Sequence, residues 1–192
     1  MSKKIVIFFI TFLSIVISAS AQVEEQDYES NSGGFGSIMF SLRKLDSQMA
    51  IYSGGGGGFM INDFRIGVFY NGLTNFFSQR DTSTTSYKLG CSYGGIWIGY
   101  PLLKEKRLHL IADMKFSIGN TRLIDTNWQQ INNGIFFGFT PSFGVEYAAT
   151  DFLMLCAGIE YHYSLFPETP QYYIPQSFSS PGIYMSVKLG TF

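Results

Sequence analysis

The stretch "LHLIADMKFSIG", residues 108–119, decides the fold because its side chains alternate between two kinds at every step. The even-numbered positions carry Leu108, Leu110, Ala112, Met114, Phe116 and Ile118. The odd-numbered positions carry His109, Ile111, Asp113, Lys115, Ser117 and Gly119. Successive side chains of a strand point to opposite faces, so this alternation predicts a β-strand with one apolar face and one mostly polar face.

The same alternation recurs along the chain in segments separated by turn residues, a pattern typical of membrane-spanning β-barrels. We predict eight strands, an even number as such barrels require. Their approximate bounds are 35–44, 48–61, 64–74, 86–100, 107–121, 134–148, 152–165 and 181–191. The predicted fold class is all-β: an eight-stranded antiparallel up-and-down transmembrane β-barrel.

The composition favours a chain that faces lipid. Charged residues make up 14% of the sequence, against about 25% in typical soluble domains, and aromatic residues make up 17%. After the N-terminal segment, no stretch has the roughly 18 consecutive apolar residues that a spanning helix needs. A closed barrel is the remaining way to cross a bilayer with all backbone groups paired. The charge balance gives no reason to expect a nucleic-acid partner.

The N-terminus carries the features of a secretory signal peptide. Lys3 and Lys4 precede an apolar run, and "ASA" at 19–21 is a cleavage motif. We therefore predict a signal peptide over residues 1–21, a flexible periplasmic lead-in over 22–34, and an outer-membrane β-barrel domain over 35–192. The predicted location is the outer membrane of a Gram-negative bacterium.

The connections between predicted strands alternate in length, as in outer-membrane barrels with short periplasmic turns and longer outer loops. The predicted turns are Asn62-Asp63, 101–106 and 148–151. The predicted outer loops are 75–85, 122–133 and 166–180, whereas the first outer connection, near 45–47, is short. This arrangement places both termini in the periplasm.

A soluble lipocalin-like barrel also alternates, but its apolar face points inward. We predict the inverted arrangement, with near-balanced charges in a narrow lumen: Arg65, Lys88, Asp113, Lys115, Glu146, Glu160 and Lys188. Rings near strand ends are predicted to form aromatic girdles: Tyr70, Phe76, Phe77, Tyr87, Trp97, Tyr100, Tyr147, Tyr161 and Tyr163. Cys91 is predicted to face lipid and Cys156 the lumen, which leaves two free thiols.

The run "YSGGGGGFMIND", residues 52–63, has neither the Lys-Ser/Thr of a phosphate-binding loop nor the spacing of a dinucleotide fingerprint. Its apolar flanks argue against a linker. We interpret it as a strand that bends sharply, with rings of neighbouring strands lying over the bare backbone. Four glycines at 90, 94, 95 and 99 form a similar set.

Residues 35–192 resemble the small eight-stranded outer-membrane β-barrel proteins of Gram-negative bacteria. In particular, "GGGGGFMINDFRIGVF" is similar to a run in an uncharacterised glycine-rich group of these barrels. The resemblance implies the fold and location, and no catalytic residues. It also implies recognition of a C-terminal aromatic residue by the outer-membrane assembly machinery. Here that residue is Phe192, which either follows a bulge near Gly190 or extends beyond the last strand.

We predict no catalytic, cofactor-binding or metal-binding residues. Glu160, His162 and Ser164 share one face of a strand and are the basis of a lipid-modifying enzyme alternative. That face is the predicted lumen, where a polar network with Glu160 paired to Lys88 or Lys115 is favoured. His109 and His162 lie near opposite ends of the barrel and are not expected to share a metal ion.

The predicted function is non-enzymatic: an envelope-structure or surface-interaction role through the outer loops. A small solute pore is an alternative, but we expect Phe69, Phe136, Met154 and Tyr184 to fill the interior. The predicted partners are outer-membrane lipid, the assembly machinery during biogenesis and an unidentified surface ligand. The barrel is predicted to be a monomer without cofactors.

Overall fold

The computed structural model describes residues 32–45, 48–74, 77–80, 86–104, 107–124, 130–168 and 178–192. Nine strands lie within these ranges. They are β1 (Ser32–Leu45), β2 (Gln48–Ile61), β3 (Phe64–Leu73), β4 (Phe77–Arg80), β5 (Ser86–Lys104), β6 (Leu108–Ile124), β7 (Gln130–Thr150), β8 (Leu153–Leu165) and β9 (Ser180–Gly190). No helix in the described part of the chain is long and apolar enough to span a bilayer.

The strands form one closed antiparallel sheet. Their order is β3-β2-β1-β9-β8-β7-β6-β5-β4, and a β3–β5 pairing closes the ring. The short β4 pairs with the start of β5, beyond the point where β3 ends. The barrel wall therefore has eight strands, which confirms the predicted fold, and β4 is an addition inside the predicted outer loop 75–85.

The strand bounds follow the prediction closely, with some extensions. β2 has the predicted bounds, whereas β1 begins at Ser32 and so includes the last three residues of the predicted lead-in. β5 and β7 continue into the predicted periplasmic turns through bulges at 101–103 and 148–150. The predicted signal peptide, lead-in residues 22–31, Phe76, and the side chains of Phe77, Tyr87 and Lys88 lie outside the described part.

The two faces of the wall have the predicted orientation on most strands. Outward residues such as Val68 and Ile118 are 66% and 61% exposed, whereas the inward Arg65 and Lys188 are 2% and 1% exposed. In the stretch that decided the fold, the even-numbered residues face outward, and the odd-numbered ones are inside. An apolar exterior around a charged interior contradicts the lipocalin-like alternative. It is the arrangement that a barrel in lipid requires.

One strand has the reverse of the predicted orientation. On β5, Leu89, Cys91, Tyr93 and Trp97 are buried inside the barrel, although we predicted that this face meets lipid and that Trp97 joins a girdle. Both faces of β5 are largely apolar or glycine, so polarity does not distinguish them. The inward face is apolar because it packs on an aromatic cluster inside the lumen.

The glycine run makes room for that cluster. In the cross-strand register Phe35 lies opposite Gly58, Gly58 opposite Gly67, and Gly67 opposite Trp97. Three strand spacings of about 4.8 Å separate β1 from β5 along the sheet. The Phe35 and Trp97 rings nevertheless meet edge to face, with their centroids 5.3 Å apart. The two rings therefore meet on the inner face across the positions of Gly58 and Gly67, which carry no side chains.

The start of β1 and the C-terminus lie at the end of the barrel that has the turn at 62–63. Asn62, in the predicted two-residue turn, has φ 55°, a left-handed conformation that asparagine tolerates better than most residues. Phe192 lies beyond the last residue of β9, and its ring centroid is 6.2 Å from that of Phe35. Phe192 therefore extends beyond the last strand, which is the second of its two predicted placements.

The glycine run gives a first prediction. A Cβ at Gly58 would lie 2.2 Å from the carbonyl oxygen of Ile66, so Gly58→Ala forces β2 and β3 apart. We expect a loss of about 1–3 kcal/mol in the free energy of unfolding, measured by urea titration in lipid vesicles. The control is Gly36→Ala on β1, where a Cβ meets nothing within 4 Å. Equal effects of the two substitutions would contradict this account.

Candidate functional site

The lumen holds an unusual number of buried charged groups for so narrow a space. Among the described residues, six of the barrel strands contribute a charged side chain to the lumen. The buried cations are Arg43, Arg65, Lys115 and Lys188, and the buried carboxylates are Asp113, Glu146 and Glu160. An isolated buried charge is very unfavourable. The distances between these groups therefore show which of them pair with one another.

Glu146 of β7 joins three strands. Its Oε2 lies 2.6 Å from Nη1 of Arg65 on β3, and its Oε1 accepts a hydrogen bond from Nζ of Lys188 on β9. All three side chains are at most 3% exposed. The carboxylate lies between two cations and links strands that are not neighbours in the sheet.

Glu160 of β8 forms a second cluster of the same kind. Its Oε2 lies 3.4 Å from Nζ of Lys115, and its Oε1 lies 3.6 Å from Nε of Arg43 and accepts a hydrogen bond from Ser41. The predicted pairing with Lys115 is confirmed. The other predicted partner, Lys88, has its side chain outside the described part.

Arg43 is the lumen cation that the sequence reasoning missed. Its guanidinium lies 4.1 Å from the ring centroid of Tyr52, and Nη2 donates a hydrogen bond to the Tyr93 hydroxyl at 2.6 Å. This stacking and hydrogen bonding are typical of arginine. The alternation in "IMFSLR", residues 38–43, does indicate an inward Arg43, because this residue alternates with apolar side chains that face outward.

The residues of the enzyme alternative lie side by side, but each has a partner elsewhere. Glu160 is held by its two cations, as above. Nδ1 of His162 lies 2.7 Å from Oγ1 of Thr140, and the hydroxyl of Ser164 donates to the Phe178 carbonyl at 3.4 Å. His162 is 3% exposed and packs with its ring centroid 5.0 Å from that of Tyr93. The arrangement is a lumen packing network rather than a nucleophile with its base.

The described residues also form neither a metal site nor a disulfide. Among the described residues no group of three or more His, Cys, Asp or Glu side chains could hold a metal ion. His109 lies at the second residue of β6, opposite Glu146, and far along the barrel from His162. Cys91 and Cys156 are both free and buried, as predicted, although Cys91 faces the lumen and not lipid.

The end of the lumen beneath the long connections is closed by apolar side chains. Leu45, Leu89, Leu123 and Phe178 are each at most 5% exposed and belong to one cluster. Phe178 is held there because Ser179 accepts a hydrogen bond from the backbone N–H of Ser164, and Ser180 donates one to the Lys44 carbonyl. Residues 178–180, which lead into β9, are therefore held against β8 and β1 at this end of the barrel.

Little empty space remains in the middle of the lumen. A cavity of about 10 Å³ lies among Ser41, Asp113, Lys115, Glu160 and Tyr184. That volume is about what one water molecule needs. Phe69, Phe136, Met154 and Tyr184 are all buried, as predicted, and the described interior is filled by side chains rather than open to solutes.

Comparison with solved structures supports the fold. Neisserial surface protein A is 16% identical, with a TM-score of 0.61 over 83% of this chain and 97% of that chain. The attachment invasion locus protein Ail of Yersinia pestis, in complex with the heparin analogue sucrose octasulfate, is 12% identical, with a TM-score of 0.53 over 86% of this chain and 100% of that chain.

At such low identity these likenesses show the fold alone. No family model matches the chain, and no curated protein matches it either. The chain has the fold of the outer-membrane β-barrels. Together with the apolar exterior, this fold supports the predicted location in the outer membrane of a Gram-negative bacterium.

The lumen clusters give a second prediction. Glu146→Gln keeps the size of the side chain but leaves Arg65 and Lys188 buried without a counter-charge. We expect a loss of about 3–5 kcal/mol in the free energy of unfolding. The control is Asp63→Asn, which removes the exposed Lys104–Asp63 pair and is expected to cost at most about 1 kcal/mol. Urea titration of both variants in the same vesicles makes the comparison, and a Glu146→Gln loss no larger than the control would contradict it.

Proposed function

We propose that this protein is a non-enzymatic outer-membrane barrel that acts at the cell surface through its outer loops. The observation that carries the proposal is the filled lumen. Among the described residues Glu146 and Glu160 each pair with two cations, apolar side chains are buried at one end of the lumen, and the cavity beside Glu160 has room for about one water molecule. A barrel of this kind is a rigid support, so its activity is expected outside the lumen.

The wall extends furthest at the end that carries the long connections. β5 and β6 remain paired as far as Lys88 and Ile124, beyond the last β3–β5 pair at Gly72 and Ser92. β4 adds a further strand to this extension. The extended sheet is a stable base from which exposed loops can present side chains to a partner.

The loop sequences are suited to contact with a partner. "DTNWQ" at 125–129 and "TPQYYIPQS" at 169–177 combine aromatic rings with hydrogen-bonding side chains. Such residues are enriched in binding surfaces. The complex of Ail with a heparin analogue shows that a barrel of this fold can bind an external ligand, which supports the proposal without identifying a ligand for this chain. A purely structural role in the envelope is the second candidate, since the sealed barrel alone would suffice for it.

Replacing the loops tests the proposal. Residues 125–129 and 169–177 are exchanged for Gly-Ser linkers of equal length, and the chain is displayed on a bacterium that lacks it. We expect wild-type cells to bind at least one member of a panel of immobilised sulfated glycans, neutral glycans and matrix proteins, and the variant to lose that binding. The control exchanges only residues 105–106, in a predicted periplasmic turn. Wild-type binding no greater than that of cells without the barrel would favour the structural role.

Conductance tests the pore alternative directly. Because side chains fill the lumen, the purified full chain is expected to give no stable current steps in a planar lipid bilayer. A wide porin inserted under the same conditions is the control for bilayer formation. Reproducible current steps of constant size would contradict the sealed lumen on which the proposed function depends.

A further inference from the structure

The outer wall of the barrel carries a groove of about 670 Å³, separate from the lumen and from the loops. It runs across β1, β9, β8 and β7, and outward-facing side chains supply most of its lining. Those residues include Leu42, Pro141, Phe143, Ile159, Tyr161 and Ile183. Its size is within the range of about 300–1,000 Å³ that is usual for small-molecule sites.

Two prolines lie where the wall is recessed. The β7–β8 pairing is interrupted between Phe139–Tyr163 and Ser142–Glu160, the interval that contains Pro141. Pro181 of β9 lies opposite Tyr161 from the other side. Proline has no N–H to donate to the ladder, and the compact rings of Pro141 and Pro181 leave a depression beside larger outward side chains such as Phe143 and Ile183.

The rim of the groove carries a positive charge. Along β1 the outward residues Ile38, Phe40 and Leu42 are apolar, and the next outward residue is Lys44, which is exposed and also lines the groove. No carboxylate among the described residues is within ion-pair distance of its ammonium group. The row of outward apolar residues on β1 therefore ends at a cation that has no carboxylate partner among the described residues.

A pair of tyrosines marks the same level of the wall. Tyr161 and Tyr163 of β8 face outward, with ring centroids 4.4 Å apart. Tyrosines in this position are characteristic of the boundary between hydrocarbon and headgroups. The groove thus begins in the hydrocarbon layer and ends where phosphate groups lie.

We infer that this groove binds one anionic, phosphate-bearing lipid, with an acyl chain over Pro141, Ile159 and Ile183 and its phosphate beside Lys44. The occupant is a lipid because the groove opens on the face that meets the bilayer, and the lining is almost entirely apolar below the rim. The exposed ammonium group of Lys44 complements a negative headgroup, which the zwitterionic lipids offer less well. This inference does not depend on the proposed role of the loops.

Native mass spectrometry tests the site with defined probes. The full chain is released from micelles that contain either phosphatidylglycerol or phosphatidylcholine of the same acyl composition. We expect one phosphatidylglycerol to be retained in preference to phosphatidylcholine. Lys44→Gln should weaken its apparent affinity about two- to five-fold, the size expected for an exposed ion pair. Ile183→Trp, which fills the groove, should reduce retention of both lipids.

Matched controls separate the site from general lipid adhesion. Arg122→Gln removes an exposed cation from β6, and Ile118→Trp enlarges an exposed apolar residue on the same strand, away from the groove. Neither substitution should change how much phosphatidylglycerol or phosphatidylcholine the barrel retains. The inference is wrong if wild type retains both lipids equally, or if Arg122→Gln weakens phosphatidylglycerol as much as Lys44→Gln does. Heat-modified migration on gels confirms that each variant is folded.

Discussion

Closure of eight strands around a narrow interior is the constraint on which the rest of the structure depends. In hydrocarbon every backbone N–H and C=O must find a partner in the wall, so the sheet has to close. Eight strands leave an interior just wide enough for side chains. Residues that bring distant strands together are therefore required. Gly58 and Gly67 serve this purpose, because their missing side chains let Phe35 and Trp97 pack together inside.

The same narrowness determines how the lumen handles charge. There is little room for water in the described interior, and each buried cation lies beside a carboxylate of another strand. Glu146 and Glu160 each lie between two cations, and each joins strands that do not share a backbone ladder. These polar side chains stabilise closure of the barrel and block a path for solutes. The lumen is accordingly a structural core, with polar contacts where a soluble protein would have apolar ones.

The alternation of side chains predicted the wall well wherever its two faces differed in polarity. β6 to β9 satisfy this condition, because charged residues such as Lys115 and Lys188 alternate with apolar ones. β5 does not, since Cys91 and Trp97 alternate with glycine and isoleucine, and its orientation depends on packing across the lumen. Arg43 could have been assigned from alternation alone, whereas its hydrogen-bond partner Tyr93 lies 50 residues away along the chain. Local patterns contain no information about such contacts.

The two sides of the barrel are stabilised by different means. Beside the glycine run, unbroken ladders and rings that meet edge to face hold β1, β2, β3 and β5 together. On the other side, Pro141 interrupts the β7–β8 ladder and Pro181 follows nearby on β9. Glu160 lies at the edge of that interruption, and its contacts with Arg43 and Lys115 link β8 to β1 and β6 from within. The ion pairs thus support the wall where backbone hydrogen bonds are fewest, which allows its outer surface to be recessed without opening the lumen.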